Sequence, residues 1–535
     1  MKRRTLAMIA ALALACALLA SGCQQQGANP DGSGGASGKQ NPAASQEAAA
    51  GDAASAEDDE VLEGVLSEFE KIAAIPRPSG HEERIGDYLM QWARDHGLDP
   101  RQDEVGNVIF DVPATQGCED FPLVVLQGHM DMVAVSDDPS FDPENTPITP
   151  VRDGDLLTAD GTSLGADDGA GLAIMLHYAA SNAQHGPLRI VSTVNEEDTS
   201  IGAISLDPAE LQDAKYLINI DSEKAGEATV SAAGGAGVTM SQKPRRVAPT
   251  LDTALSLEMS GLSGGHSAIA IDKGRINAIQ ETANLLAFLD AEGIVYELAS
   301  LSGGDAFNAI PTGCQALIVV AAGDAERVRE LAAQHAEGLA KAYAASDPDV
   351  QVSVEDAELP ASVFEAEQCD DIVDLASLYP DGLFALSQEM EGLVESSSNL
   401  GVLHADETAV EAESFARSPK EELLETVGMR QTRLAERCGF AVDVTSNNPP
   451  WPVDTSSTLL PIMQEAYREA TGEELAAVST HGWLECASFA GKAPELDMVA
   501  IGPTIDNPHS TDETLHLDTI APVYRMLELT LSHLQ

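Results

Sequence analysis

Apolar positions along this chain follow two rhythms, and the points where one gives way to the other predict its elements. Val61, Leu62, Val65, Leu66, Phe69 and Ile72 recur at helical spacing and predict a helix, broken by Pro76 and Pro78. Ser79 reads as the N-cap of a second helix, with Ile85, Tyr88, Leu89 and Trp92 on one face and Gly97 closing it. Strand-length apolar runs follow at Leu123 to Leu126, Leu188 to Val194 and Tyr216 to Ile220, with a helix carrying Leu172, Met175 and Leu176 between the first two. This alternation predicts an α/β fold with a mixed, mainly parallel sheet flanked by helices.

From about Val238 to Val444 the rhythm changes. Gly-rich turns such as Gly261-Leu262-Ser263-Gly264-Gly265-His266 accompany separate strand-like runs and a helix over Glu326 to Ala345. This stretch predicts an inserted α/β domain, a lid, and a homodimer through it is left open as a partner. Met498 to Ile501 then resumes the first rhythm, so the catalytic domain is expected in two parts, 59–237 and 445–535, around an insertion at 238–444. A chain of 535 residues exceeds one ordinary core, which agrees with two domains.

The amino terminus adds a targeting expectation. Lys2, Arg3 and Arg4 precede an uncharged run from Thr5 to Gly22, and Leu19-Ala20-Ser21-Gly22-Cys23 resembles a bacterial lipoprotein signal. On that reading residues 1–23 are a signal and 24–58 a flexible linker, and the protein is exported and lipid-anchored on the outer side of the cytoplasmic membrane. Against 29 basic residues stand 87 acidic ones, a net charge of −58, which excludes nucleic acid as a partner because its phosphates would be repelled. The scattered Cys118, Cys314, Cys369, Cys438 and Cys486 imply no disulfide framework and no thiolate zinc site.

Candidate chemistry gathers where strands end. Gly128-His129-Met130-Asp131 closes the first run, Asn195-Glu196-Glu197-Asp198 the second and Asp221-Ser222-Glu223 the third, while Asp167 opens the helix between and His509 follows the last strand. In open α/β sheets ligands bind beyond the carboxyl ends of the strands. His129, Asp131, Asp167, Glu196, Glu197, Asp221 and His509 supply the imidazole nitrogens and carboxylate oxygens that two hard or borderline divalent cations need, with a base to spare. A neighbouring Glu can then take a proton from water as it attacks a carbonyl.

The ordered series Leu126-Gln127-Gly128-His129-Met130-Asp131-Met132-Val133, Leu164-Gly165-Ala166-Asp167-Asp168-Gly169, Glu196-Glu197, Asp221-Ser222-Glu223, Gly264-Gly265-His266-Ser267, Asn308-Ala309-Ile310-Pro311 and Ile501-Gly502-Pro503-Thr504 leading to His509-Ser510 resembles the dizinc exopeptidases related to carboxypeptidase G and aminoacylase. Within them it is similar to the bacterial aminoacyl-histidine (Xaa-His) dipeptidases, from about Val61 to the carboxyl terminus. The resemblance implies that His129, Asp167, Glu197, Asp221 and His509 hold two Zn2+, Asp167 bridging in preference to Asp168. It implies Asp131 as the partner orienting His129, Glu196 as general base and His266 as stabiliser of the oxyanion. It also implies Asn308, Asn399, Arg417 and His481 as residues near the substrate, a dipeptide of Xaa-His type. Where this family carries His-Ala-Gly-Leu-Glu-Cys, the present chain has His481-Gly482-Trp483-Leu484-Glu485-Cys486. Two other readings remain at this stage: an N-acyl amino acid amidase or other exopeptidase of the same superfamily, and a lipid-anchored peptide-binding protein, which would not need Glu196.

Overall fold

The computed structural model describes residues 42–388, 390 and 393–534, so the expected signal at 1–23 and the linker as far as residue 41 lie outside the described residues. Helix α1 (Pro42–Ala73) covers the rest of the expected linker and continues into the apolar stripe from Val61 to Ile72. Helix α2 (Glu83–Asp95) buries Ile85, Leu89, Trp92 and Ala93, and starts after Glu82 rather than at Ser79. The Ser79 hydroxyl is engaged elsewhere, donating to Asp131 at 2.7 Å.

Strands β1 (Arg101–Gln102), β2 (Val108–Val112), β3 (Val124–His129), β4 (Leu188–Thr193), β5 (Tyr216–Asn219) and β6 (Glu227–Ala232), with helix α3 (Ala166–Ala179) before β4, build most of one sheet. All residues of β3, β4 and β5 are buried. Alternate side chains divide between two cores, since Val124 and Leu126 face a cluster containing α3, whereas Val125 and Val191 face one containing Trp451 and Phe489. A strand covered on both faces reads as a continuous apolar run, the pattern found at Leu123 to Leu126.

After β6 the chain makes a second sheet from β7 (Gly234–Gln242), β8 (Thr253–Ser260), β9 (Tyr296–Gly303), β10 (Cys314–Val320), β11 (Gln351–Ala357), β12 (Gly382–Leu386), β13 (Val394–Ala405), β14 (Val410–Ser418) and β15 (Ala441–Asn448). Every pairing in it is antiparallel. Helices α4 (Ala278–Ala291), α5 (Ala325–Ala342), α6 (Ala366–Leu378) and α7 (Glu421–Arg437) contribute Leu285, Val328, Ile372 and Ala435 to its own apolar core. The chain then returns through α8 (Leu459–Thr471), β16 (Ala476–Thr480), α9 (Cys486–Lys492), β17 (Asp497–Ala500) and α10 (Ile520–His533).

The first sheet has the order β1-β2-β4-β3-β5-β17-β6-β16. Its β4-β3, β3-β5, β5-β17 and β6-β16 pairings are parallel, so the carboxyl ends of β3, β4 and β5 share one edge. The five cysteines of the folded part are all free and buried.

One buried acid in the second sheet's domain is set apart from the strand ends. Asn277 caps α4 by accepting from Ile279 N (3.0 Å) and Gln280 N (3.3 Å), and its amide donates to Asp381 Oδ1 at 3.0 Å. The same oxygen accepts from Leu400 N at 2.6 Å. Burial pushes the Asp381 carboxyl up to about 7, only partly opposed by these two donors. An unfolded Asp titrates near about 3.9, so between these values the native state holds a proton the unfolded state has lost, and stability falls as pH rises. Thermal unfolding followed from pH 4 to 8 should therefore show a shallower loss of stability in Asp381→Asn than in the parent, and parallel curves would contradict the assignment.

Candidate active site

Three connections leave the shared edge of β3, β4 and β5, and each presents a titratable side chain to one cluster. His129 is the last residue of β3, Glu196 and Glu197 follow β4, and Asp221 follows β5. His129 Nε2 stands 3.0 Å from Asp167 Oδ1 and 3.6 Å from Asp221 Oδ1. His509 Nε2 stands 3.0 Å from Asp167 Oδ2 and 2.8 Å from Glu197 Oε2. Asp167 thus offers one oxygen to each imidazole. Among the described residues, His129-Asp167-Asp221, Asp167-Glu197-His509 and His129-Glu196-Glu197 are groups able to hold a metal ion, their ligand atoms within 4.8 Å of one another.

Asp131 serves a different purpose. Its Oδ1 is 3.4 Å from His129 Nδ1, and its two oxygens accept from Glu196 N (2.9 Å), Glu197 N (3.2 Å) and the Ser79 hydroxyl. Burial works against the Asp131 charge, but these hydrogen bonds win and hold its carboxyl at about 2. It therefore anchors the β4 connection as well as the imidazole of His129.

Asp168, outside the groups, packs its carboxylate against Gly128 and Gly171, and its Oδ1 accepts from Gly171 N at 3.1 Å. The Asp167-Asp168 peptide is cis. Asn195, Glu223, Asn507 and His509 all have φ between 53° and 61°, a conformation that non-glycine residues adopt when surrounding contacts impose it.

The charge balance of the cavity is lopsided. Burial, then the nearby Asp221 and Glu197, push Glu196 well above the usual carboxylate range despite His129. Burial likewise raises Asp221 to about 8, and burial with Asp167 and Asp221 raises Glu223 to about 9. Hydrogen bonds to Asp167 and Glu197 lift His509 to about 11. Buried carboxylates in this excess stay ionised only beside added positive charge. The donor set, imidazole and carboxylate without thiolate, fits divalent cations.

The other expected site residues lie in or against the second sheet's domain, and no hydrogen bond or ion pair among the described residues joins them to the cluster. His266 is exposed before a short helix, its Nδ1 accepting from Ala268 N at 3.3 Å. The carbonyl of Asn308 accepts from Ser267 N at 2.8 Å. Asn399 spends its amide on the carbonyls of Phe307 (3.0 Å) and Ala309 (2.8 Å), leaving Oδ1 buried without a partner. His481 Nε2 is 2.7 Å from the Ser397 hydroxyl, and burial with the charge of Arg417 pushes its imidazole down to about 3. Arg417 lies opposite Ser397 in the β13-β14 register, over the Phe415 ring at 4.6 Å. Among the described residues no carboxylate pairs with it, its Nε lacks a partner, and burial lowers it to about 10.

Sequence reasoning passed over Arg77, whose buried guanidinium donates to the carbonyls of Met130 (3.0 Å), Asp131 and Gly165. It also gave no role to Glu485, which accepts from the Thr193 hydroxyl at 2.7 Å and from Gln127 at 2.5 Å beneath the strand ends. An Arg between Pro76 and Pro78, and an acid inside the quoted 481–486 motif, were the available signals.

Residues 125–533 match the family described as Peptidase family M20/M25/M40. The chain belongs to this peptidase family. It is a hydrolase of peptide bonds built on the M20 fold. Over 462 residues, 86% of this chain and 95% of the relative, it is 34% identical to the cytosol non-specific dipeptidase of Escherichia coli. The crystal structure of an aminoacylhistidine dipeptidase from Vibrio alginolyticus superposes with a TM-score of 0.81 at 33% identity, covering 88% of this chain and 96% of that one. Aminopeptidase PepT of Bacillus cereus shares the fold at 17% identity and a TM-score of 0.51, covering 88% of this chain and 98% of its own.

These relatives correct the expectation of an exported, membrane-anchored lipoprotein, because the Escherichia coli M20 relative that spans most of this chain is named for the cytosol. Basic residues before an apolar run are a compositional cue with no packing behind it, and Cys23 lies outside the described residues. No helix among the described residues is long and apolar enough to cross a membrane.

Packing at Gly128 gives a direct test of the cavity's rigidity. A Cβ there would sit 2.1 Å from Asp168 Oδ2, whereas one on Gly428, in α7, meets nothing within 4 Å. Urea unfolding should show Gly128→Ala destabilised by about 1–3 kcal/mol. Gly428→Ala should be stabilised by about 0.5–1 kcal/mol through helix propensity. Equal effects of the two substitutions would contradict this packing.

Proposed function

We propose that the protein hydrolyses the peptide bond of dipeptides, those of Xaa-His type among them, at a centre of two zinc ions. The observation that carries the reading is the pair of potential ligand groups sharing Asp167, with Glu196 beside them. His129, Asp167 and Asp221 would hold one ion, and Asp167, Glu197 and His509 the other. Bound there, the ions would polarise the scissile carbonyl and lower the pKa of water. The dipeptidase names of the Escherichia coli and Vibrio alginolyticus relatives support the substrate class.

The chain's own groups divide the remaining work. Asp131, facing His129 Nδ1 at 3.4 Å, favours the tautomer that leaves Nε2 free as a donor to a cation. Glu196 receives a proton from the attacking water and delivers it to the leaving amine. Arg417, buried without a carboxylate partner among the described residues, receives the free carboxylate of the dipeptide through its bidentate fork. His481 lies beside Arg417 and frames the same end of the substrate. Asn308 and Asn399 shape the facing loop, and His266 donates to the oxyanion as the domain built on the second sheet covers the cavity as a lid.

Glu196→Gln should retain two zinc ions per chain while kcat falls by about 10²–10⁴ fold, the usual worth of a positioned base. Hydrolysis at the parent rate would refute the role of Glu196. A panel of beta-alanyl-histidine, other Xaa-His dipeptides and N-acyl amino acids, assayed with zinc and again after chelation, tests the substrate class. Dipeptide cleavage lost on chelation and restored by zinc is expected. Turnover confined to N-acyl amino acids would replace the dipeptidase reading by the amidase one.

A further inference from the structure

Glu513 belongs to none of the groups above, yet its buried carboxylate is saturated with hydrogen bonds. Oε2 accepts from the N–H groups of Leu164 (2.7 Å) and Gly165 (2.9 Å), and Oε1 from those of Ala166 (2.7 Å) and Asp167 (3.3 Å). These amides form the entry to α3, whose N-cap residue Gly165 has no side chain to cap them, while Asp168 Oδ1 serves only the later Gly171 N. Buried Arg77 grips the same turn by its other side through the Gly165 carbonyl, and grips the residues after His129 through the Met130 and Asp131 carbonyls. Gly165 has φ 68°, and a Cβ there would lie 2.7 Å from Met132 Sδ and 2.9 Å from Arg77 Nη2. Between the acid and the arginine the turn has one available position.

We propose that Glu513 is a positioning residue that holds the Asp167 carboxylate between His129 and His509, so that one side chain can serve two cations; the inference rests on the dinuclear reading above. Backbone amides converging on one point need an acceptor-only group with both oxygens exposed to them, which a carboxylate is and an amide is not. Glu513 also follows His509 on the same loop, so its grip on the 164–167 turn fixes the spacing between Asp167 and His509. A cap on α3 that mattered only for helix stability would have no reason to come from the segment that delivers His509. Glu513→Gln keeps the size of the side chain but turns an NH2 group toward two backbone N–H donors. Asp167 then loses its fixed distance to both histidines, and the folded protein loses cation affinity.

Zinc titration of metal-stripped protein against a chromophoric chelator separates positioning from simple stability. The parent chain should bind two zinc ions, whereas folded Glu513→Gln should bind them at least tenfold more weakly, alongside its reduced kcat. Glu513→Gln that binds two ions with the parent's affinity overturns the inference, whatever its melting temperature. A parent chain that binds no zinc overturns the dinuclear reading and the inference with it. If Glu513→Gln does not unfold cooperatively, Glu513→Asp, with both acceptor oxygens on a shorter arm, goes through the same titration and is judged by the same two results.

Discussion

The catalytic half of this protein is organised around one electrostatic problem, the close approach of Asp167, Glu196, Glu197 and Asp221 to one another around His129 and His509. Like charges brought this close repel strongly where water is scarce, and each raises the pKa of the next. A site of this kind keeps its shape only if the backbone beneath cannot relax. The supports are visible individually: Asp131 ties the β4 connection to His129, Arg77 binds three carbonyls, and Glu485 joins β3 and β4 under the cavity. The positive φ values at Asn195, Glu223, Asn507 and His509 are where this constraint is stored in the backbone.

On the proposed function the second sheet solves a separate problem, covering a small substrate as a lid. Its apolar core is its own, drawn from strands and helices within the insertion. The chain leaves and re-enters side by side, with Ala232 and Trp451 exchanging backbone hydrogen bonds of 3.0 Å in both directions. Gly234 sits at that crossing, where a Cβ would lie 2.6 Å from the Asn448 carbonyl. The polar bridge between Ser397 and His481, and Arg417 with no carboxylate partner among the described residues, lie where this domain meets the loop after β16. A buried guanidinium is costly without an anion, and on the proposed function the peptide carboxylate is that anion.

Much of this was legible in the residue order. Strand length, the run of apolar residues in β3 to β5 and the acids or histidine that follow each strand come from side-chain chemistry and local spacing, which a linear pattern records directly. The same pattern named His129, Asp167, Glu196, Glu197, Asp221 and His509, because a parallel sheet must place those strand ends along one edge. Where the pattern misled, a local cue was overruled by a distant partner. Ser79 looked like a helix cap but donates to Asp131, and an apolar, basic amino terminus suggested an export that the cytosolic Escherichia coli relative does not support.

What only the tertiary structure decided is which residues hold the others in place. Arg77 and Glu513 act on loops far from them in sequence through backbone carbonyls and amides that every residue carries alike, and Glu485 reaches the side chains of Gln127 and Thr193 across hundreds of residues, so no spacing rule could point to them. That Arg417 is a buried guanidinium with no carboxylate partner among the described residues is likewise a property of packing. The chemistry of the site was written in side-chain type and order. Its rigidity is written in backbone hydrogen bonds, which a sequence does not display.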